Sequence, residues 1–170
     1  MNLLAISGSL RAKSSNAAAL SALQLLAPPD VRIDLCNKIS LLPLFNPDLD
    51  APGLALPPVA ADFRDDVGVS HGLIISSPEY AHGVPGALKN ALDWLVSSEH
   101  FAGKPVMVLS ISPFSRHSHA QLHEVLRTLS ASITDDAAYS VSISRSIKDA
   151  SEILSDSTLS TQLTNAIKIF

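Results

Sequence analysis

The chain has 170 residues, 46% of them apolar and 16% charged, which is material for one domain spanning 1–170 and excludes intrinsic disorder. Twelve basic against sixteen acidic residues give a net charge of −4, without the broad basic field that nucleic acid or an anionic membrane requires. The lone cysteine, Cys36, excludes an internal disulfide, and the first apolar run ends at Ile6, too short for a signal peptide or a membrane span. A soluble, cytoplasmic protein is expected.

Leu3–Ser7 is an apolar run ending at Gly8, the pattern of a strand buried on both faces. Leu20, Leu23 and Leu26 recur at helical spacing until Pro28 and Pro29 stop that helix. Val31–Leu35 alternates as a second strand. Segment 37–58 holds Pro43, Pro47, Pro52, Pro57, Pro58 and Gly53 and reads as a long surface loop, whose Leu41, Leu42, Leu44 and Phe45 need burial. A short helix over 58–67 precedes a third strand, Gly72–Ser76. Pro85–Ser98 is the next helix and Pro105–Ser110 the fourth strand. Leu122, Leu126, Leu129 and Ile133 mark another helix, and Tyr139–Ser144 a fifth strand. Residues 149–161 read as an exposed connection, and Leu159, Leu163, Ile167 and Phe170 mark a closing helix.

Strands alternating with helices imply parallel βαβ units in a three-layer sandwich. Ligands of such sheets sit at the carboxyl ends of the strands, near the switch in strand order. That rule points to the loops Ser7–Asn16, Ser76–Pro85 and Ser110–His119.

The first loop reads Gly8-Ser9-Leu10-Arg11-Ala12-Lys13-Ser14-Ser15-Asn16. Backbone N–H groups at a helix start attract an anion. Ser9, Ser14, Ser15 and Asn16 add neutral donors, and Arg11 adds a forked cation suited to phosphate. The lysine-serine/threonine ending of a P-loop is missing, which excludes that mode of nucleotide hydrolysis. The competing reading is a serine-rich turn with Ser14 or Ser15 as helix N-cap. In the second loop, Pro78, Gly83, Pro85 and Gly86 make a stiff wall whose backbone approaches a flat ligand closely, or else an ordinary turn. Glu79 there has no partner acid for general acid–base work.

GSLRxxSxN after strand one, with PEYxxxxPGxLKNAxDW after strand three, resembles the NADPH-dependent FMN reductase family over residues 2 to about 135, LPLFNPDLD (Leu42–Asp50) and GKPV included. The resemblance implies a flavodoxin-like α/β sandwich with a five-stranded parallel sheet in the order 2-1-3-4-5. It implies that Ser9, Arg11, Ser14 and Asn16 hold an FMN phosphate, with Ser15 beside them. Pro78, Glu79 and Tyr80 would line the isoalloxazine largely through backbone. Ala81, His82, Gly83 and, from the third loop, Ser112 complete the expected cofactor-binding set. The helix with Lys89, Asn90, Asp93 and Trp94 would help form a homodimer or homotetramer.

Two positions depart from the family pattern. Ala81 stands where asparagine is usual, and residues 112–119 contain no glycine, so side chains replace open backbone there. His119 and His123 share a helix face, yet with His117 they lack a cysteine and have only Glu124 as an adjacent acid, so no metal site is expected. Arg116 and His117 are candidates for a pyrophosphate or the 2′-phosphate of NADPH. No Gly-x-Ser-x-Gly elbow supports a hydrolase.

The expected activity is transfer of reducing equivalents from NADPH or NADH through FMN to a small acceptor: quinone, free flavin, azo dye or metal oxyanion. The alternative is a flavodoxin-like protein without reductase activity, either an electron carrier or a binding or regulatory protein with a weakened flavin site. No nucleic acid or membrane partner is expected.

Overall fold

A computed structural model of the chain describes every residue except 113, 114, 145, 148 and 169, and describes 134–139 by backbone alone. Strands β1 (Asn2–Ser7), β2 (Arg32–Leu35), β3 (Gly72–Ser76), β4 (Pro105–Ser110) and β5 (Ser132–Ser140) form one parallel sheet, ordered β2-β1-β3-β4-β5. This is the flavodoxin-like order. Its register sets Leu4 against Leu73, and Ile74 against Met107.

Period-two alternation assigns the two faces. Leu3 and Ala5 of β1, with Ile74, Met107 and Leu109, pack on α1 (Ser15–Leu26), α5 (Ala150–Ser155) and α6 (Ser157–Ile167). Leu4 and Ile6, with Leu73, Ile75, Val106 and Val108, pack on α2 (Pro58–Val69), α3 (Gly86–Asp93) and α4 (Arg116–Thr128). Every residue of β3 is buried, which explains its unbroken apolar run. Each large aliphatic side chain withdrawn from water contributes about 1.5–3 kcal/mol, so these two faces hold the three layers together.

Four expectations need correction. The helix marked by Leu122 to Ile133 ends at Thr128, because Ser130 takes a left-handed φ of 59° and turns the chain into β5. Ile133 therefore belongs to a strand, which starts seven residues before Tyr139 and ends at Ser140, so residues 141–144 of the expected strand lie beyond it. The pairing of β4 with β5 shifts between Val106 and Val108, from Ile133 to Ala138 as partner. Segment 149–161 is largely exposed, as expected, but it is helical and not a mere connection. Asp149 caps α5 by accepting from the Glu152 N–H, Asp156 caps α6 through Thr158 and Leu159, and Ile153 is fully buried. The helix expected over Pro85–Ser98 is shorter, with Pro85 at its N-cap and Trp94 at its C-cap.

The proline-rich loop is held by side chains of α3 and its C-cap. Asn90 Nδ2 and Trp94 Nε1 both donate to the Pro43 carbonyl, at 3.0 and 2.8 Å, and the Phe45 N–H donates to Asn90 Oδ1 at 2.8 Å. Phe45 meets the buried Trp94 edge-on at 5.2 Å. Leu42 is buried, whereas Leu41 and Leu44 are exposed. Lys104, of the GKPV stretch, donates to the carbonyls of Val67 and Ser70 at 2.7 Å and so caps the end of α2. Burial pushes its ammonium pKa down.

Beyond the loop, Arg64 of α2 donates to Asp50 Oδ2 at 2.7 Å, to Ser97 Oγ at 2.9 Å and to the Trp94 carbonyl at 2.6 Å. Arg64, with Ser97, holds the nearly buried Asp50 carboxyl below its usual range. Replacing Asp50 with alanine should destabilise the protein by about 2 kcal/mol at neutral pH, between the values for exposed and buried pairs. A carboxyl depressed in the folded state adds stability above its unfolded pKa of about 3.9 and loses it as pH falls through the folded value. Urea denaturation of both proteins should therefore show the difference shrinking in acid.

Candidate functional site

At the carboxyl ends of β1 and β3, where strand order reverses, lies a cleft of about 510 Å³. Its lining includes Ser9, Arg11, Lys13, Ser14, Ser15 and Asn16 from the first loop and Ser77, Pro78, Glu79 and Tyr80 from the second. Ile111, Ser112, Ser115 and Ile143 close the far side. Nine expected site residues thus meet in one place. Ala81, His82 and Gly83 do not line it.

The two walls approach closely at Gly8. Its N–H donates to the Ser76 carbonyl at 2.8 Å, and a Cβ there would stand 3.0 Å from both Ser77 Oγ and Leu88 Cδ2. Glycine is the residue that fits.

Ser14 is the N-cap of α1, its Oγ accepting from the Ala17 N–H at 3.4 Å. Ser15 Oγ donates to the Ile147 carbonyl at 2.6 Å, so this hydroxyl ties down the segment before α5. Buried Asn16 accepts from Ser76 Oγ at 2.8 Å through Oδ1, which orients its amide. Arg11 and Lys13 are exposed, and among the described residues no carboxylate pairs with either. The opening of α1 thus combines helix N–H groups, buried serine and asparagine side chains, and two cations without a counter-charge among the described residues. That chemistry suits a phosphate dianion.

Glu79 crosses from the second loop to the third. Its Oε2 accepts from the His117 and Ser118 N–H groups at 2.8 and 3.0 Å, satisfying the first turn of α4. Ser115, at the N-cap position, makes no side-chain cap bond. The Ser118 N–H, with the His117 N–H and the imidazoles of His117 and His82, holds the Glu79 carboxyl below its usual range. Glu79 is therefore a helix cap in a cleft wall rather than a proton acceptor poised near neutrality.

After Tyr80 the chain reverses tightly. Tyr80 and Gly83 exchange backbone hydrogen bonds of 3.1 and 2.9 Å, with Ala81 at φ 48° and His82 at φ 57° between them. Two left-handed residues make a hairpin turn that favours asparagine or glycine, so Ala81 is held there by its surroundings. His82 stacks on His117 at 4.4 Å. On the helix behind, His119 and His123 lie 4.4 Å apart, and burial pushes both imidazolium pKa values down.

Lys13, Ser77, Ile111, Ser115 and Ile143 were not expected in the site. Lys13 shares the first loop with Arg11, a signal available in the sequence, whereas Ile143 comes from beyond β5 and only the fold brings it here. Pro113 and Phe114, within the glycine-free third loop, lie outside the described residues.

The family model for the NADPH-dependent FMN reductases matches residues 1–145. The chain is 40% identical over 114 residues to an NAD(P)H-dependent FMN reductase of Pseudomonas aeruginosa, covering 66% of this chain and 60% of that protein. It is 37% identical over 127 residues to a quinone reductase of Pseudomonas putida, covering 72% and 66%. The matches thus span about three-fifths to two-thirds of these curated relatives. Among solved structures, the flavoenzyme NAD(P)H:(acceptor) oxidoreductase FerB of Paracoccus denitrificans superposes with a TM-score of 0.76 at 23% identity, covering 98% of this chain and 93% of that one. That likeness carries the fold.

Removing the Glu79 carboxylate should release the first turn of α4. In Glu79→Ala, amide exchange at His117 and Ser118 should accelerate at pH 7, while Glu79→Gln, which keeps an acceptor, retains part of the protection. Because this carboxyl is depressed in the folded state, wild-type protection should persist above its unfolded pKa and fade as pH falls through the folded one. Unchanged exchange in Glu79→Ala would show that the cap does not form in solution.

Proposed function

We propose that this chain, which belongs to the NADPH-dependent FMN reductase family, is one FMN-binding domain that passes reducing equivalents from NAD(P)H to a small acceptor. The observation that carries the reading is the cleft at the switch point, where Arg11, which pairs with no carboxylate among the described residues, stands beside buried Ser9, Ser14 and Asn16. The residues present fit a flavin mononucleotide: a dianion cradle at one end and a stiff, half-apolar slot at the other.

In this reading Arg11 and the N–H groups opening α1 meet the phosphate, with Lys13 as a second cation. Ser9, Ser14 and Asn16 add donors, and Ser76 fixes the Asn16 amide. Ser15 contributes through its backbone, its hydroxyl being given to Ile147. Pro78, Glu79 and Tyr80 form one wall, Ser112 lies opposite, and Ala81, His82 and Gly83 shape the turn at the rim. Buried Ile111 and Ile143 keep part of the floor dry. Bound here, FMN would supply hydride acceptance and onward electron transfer, while the chain supplies position and electrostatics.

His117 is turned toward His82 and Glu79, which leaves Arg116, exposed at the start of α4, as the cation for the NADPH 2′-phosphate. The acceptor is a quinone, free flavin, azo dye or metal oxyanion. A protein lacking reductase activity is not favoured, because the relatives matched carry reductase names. The setting is cytoplasmic, in keeping with the lone cysteine and the absence, among described residues, of a helix long and apolar enough to cross a membrane. Assembly into a homodimer or homotetramer is supported by the exposed Leu44 and Val96, close in sequence to the bonded pair Pro43 and Trp94.

Titrating FMN into flavin-free protein should quench flavin fluorescence. Arg11→Ala should weaken FMN about tenfold to a hundredfold, equivalent to the roughly 1.5–3 kcal/mol of a charge-assisted hydrogen bond. Riboflavin, lacking the phosphate, should bind both proteins alike; failure of wild type to take up FMN would overturn the reading. Arg116→Ala should raise the KM for NADPH more than that for NADH in steady-state oxidation assays, whereas equal effects would remove Arg116 from phosphate recognition.

A further inference from the structure

We propose that Glu79, His82 and His117 form a site for a divalent transition-metal ion of the zinc, nickel or copper kind on the rim of the cleft. One ligating atom from each, a carboxylate oxygen and two ring nitrogens, lies within 4.8 Å of the others. Around a tetrahedral ion bound at about 2.0–2.1 Å, ligand atoms stand about 3.4 Å apart. Closing the site draws the ligand atoms together by at most about 1.4 Å, the difference between those two spacings.

Separate features hold the three ligands in place. The first Glu79 oxygen is anchored by two N–H groups of α4, which leaves the other to turn toward the imidazoles. His82 is fixed by the hairpin that forces it and Ala81 into left-handed conformations, and strain of this sort accumulates at ligand sites. The His82 ring from the hairpin and the His117 ring from α4 lie 4.4 Å apart and 17° from parallel. The two imidazoles are thus already neighbours and turn out of this stack to aim a nitrogen each at one ion. Both histidines are exposed, so water can fill the remaining coordination positions.

Two imidazoles with one carboxylate select zinc, nickel or copper over magnesium or calcium. With neutral imidazoles the set carries one negative charge, opposed by the N-terminus of α4 and by Arg116. Arg116 is exposed, and its charge is screened. A bound ion would tie the β3–α3 loop to α4, two walls of the cleft. The site was not legible in the sequence because its members are 35 residues apart at their widest intervening gap, His82 to His117.

Calorimetric titration of zinc chloride into tag-free protein tests the proposal. One zinc per chain is expected, with a higher Tm for wild type in zinc. His82→Ala and His117→Ala should each weaken binding by about tenfold or more and abolish the thermal shift. Glu79→Gln, which still accepts from the helix amides, should also bind more weakly, separating the loss of a ligand from the loss of the cap. His119→Ala should bind as wild type does. No zinc uptake by wild type, or uptake that survives His82→Ala but not His119→Ala, would overturn the proposal.

Discussion

The Glu79 carboxylate seated on the first turn of α4 is the contact on which the shape of the cleft depends. A helix start carries amide groups that need acceptors, and Ser115 makes no side-chain cap bond to them. The acceptor comes instead from the loop after β3. One bond pair thus satisfies the helix and fixes the distance between two walls that the sheet alone leaves independent. It also commits the acid to its charged form and removes it from proton-transfer work.

On the opposite side the same economy recurs with neutral groups. Asn16 and Ser76 join the first loop to β3, and Ser15 reaches across to Ile147. The serines therefore divide between holding the chain together and facing the cleft. Counting donors in the sequence overstates what is available to a ligand, because a hydroxyl already given to a carbonyl is no longer offered outward.

Much of the central architecture was legible because β1, β3 and β4 are hydrophobic on both faces, and such runs have few other ways to be buried. The ends of the chain were less so. Asp135 and Asp136 interrupt the alternation expected of a strand, and the register shift against β4 leaves no simple period to find. Helix α5 is six residues long with one buried anchor, Ile153, so its signature is the capping aspartate and not a stripe. At the site, the loop positions were readable from topology, but the Ala81–His82 turn was not. Alanine seldom enters the left-handed region, and only the pairing of Tyr80 with Gly83 reveals the turn.

The two outermost strands have a bearing on how copies of this protein can meet. Strand β2 is four residues long, and β5 is out of step with its neighbour partway along. Neither flank presents a long, even row of unpaired amides and carbonyls onto which foreign backbone could zip. Association between copies is thereby steered toward packing of side chains on helices and loops, away from continuation of the sheet and from the fibrillar growth that such continuation invites.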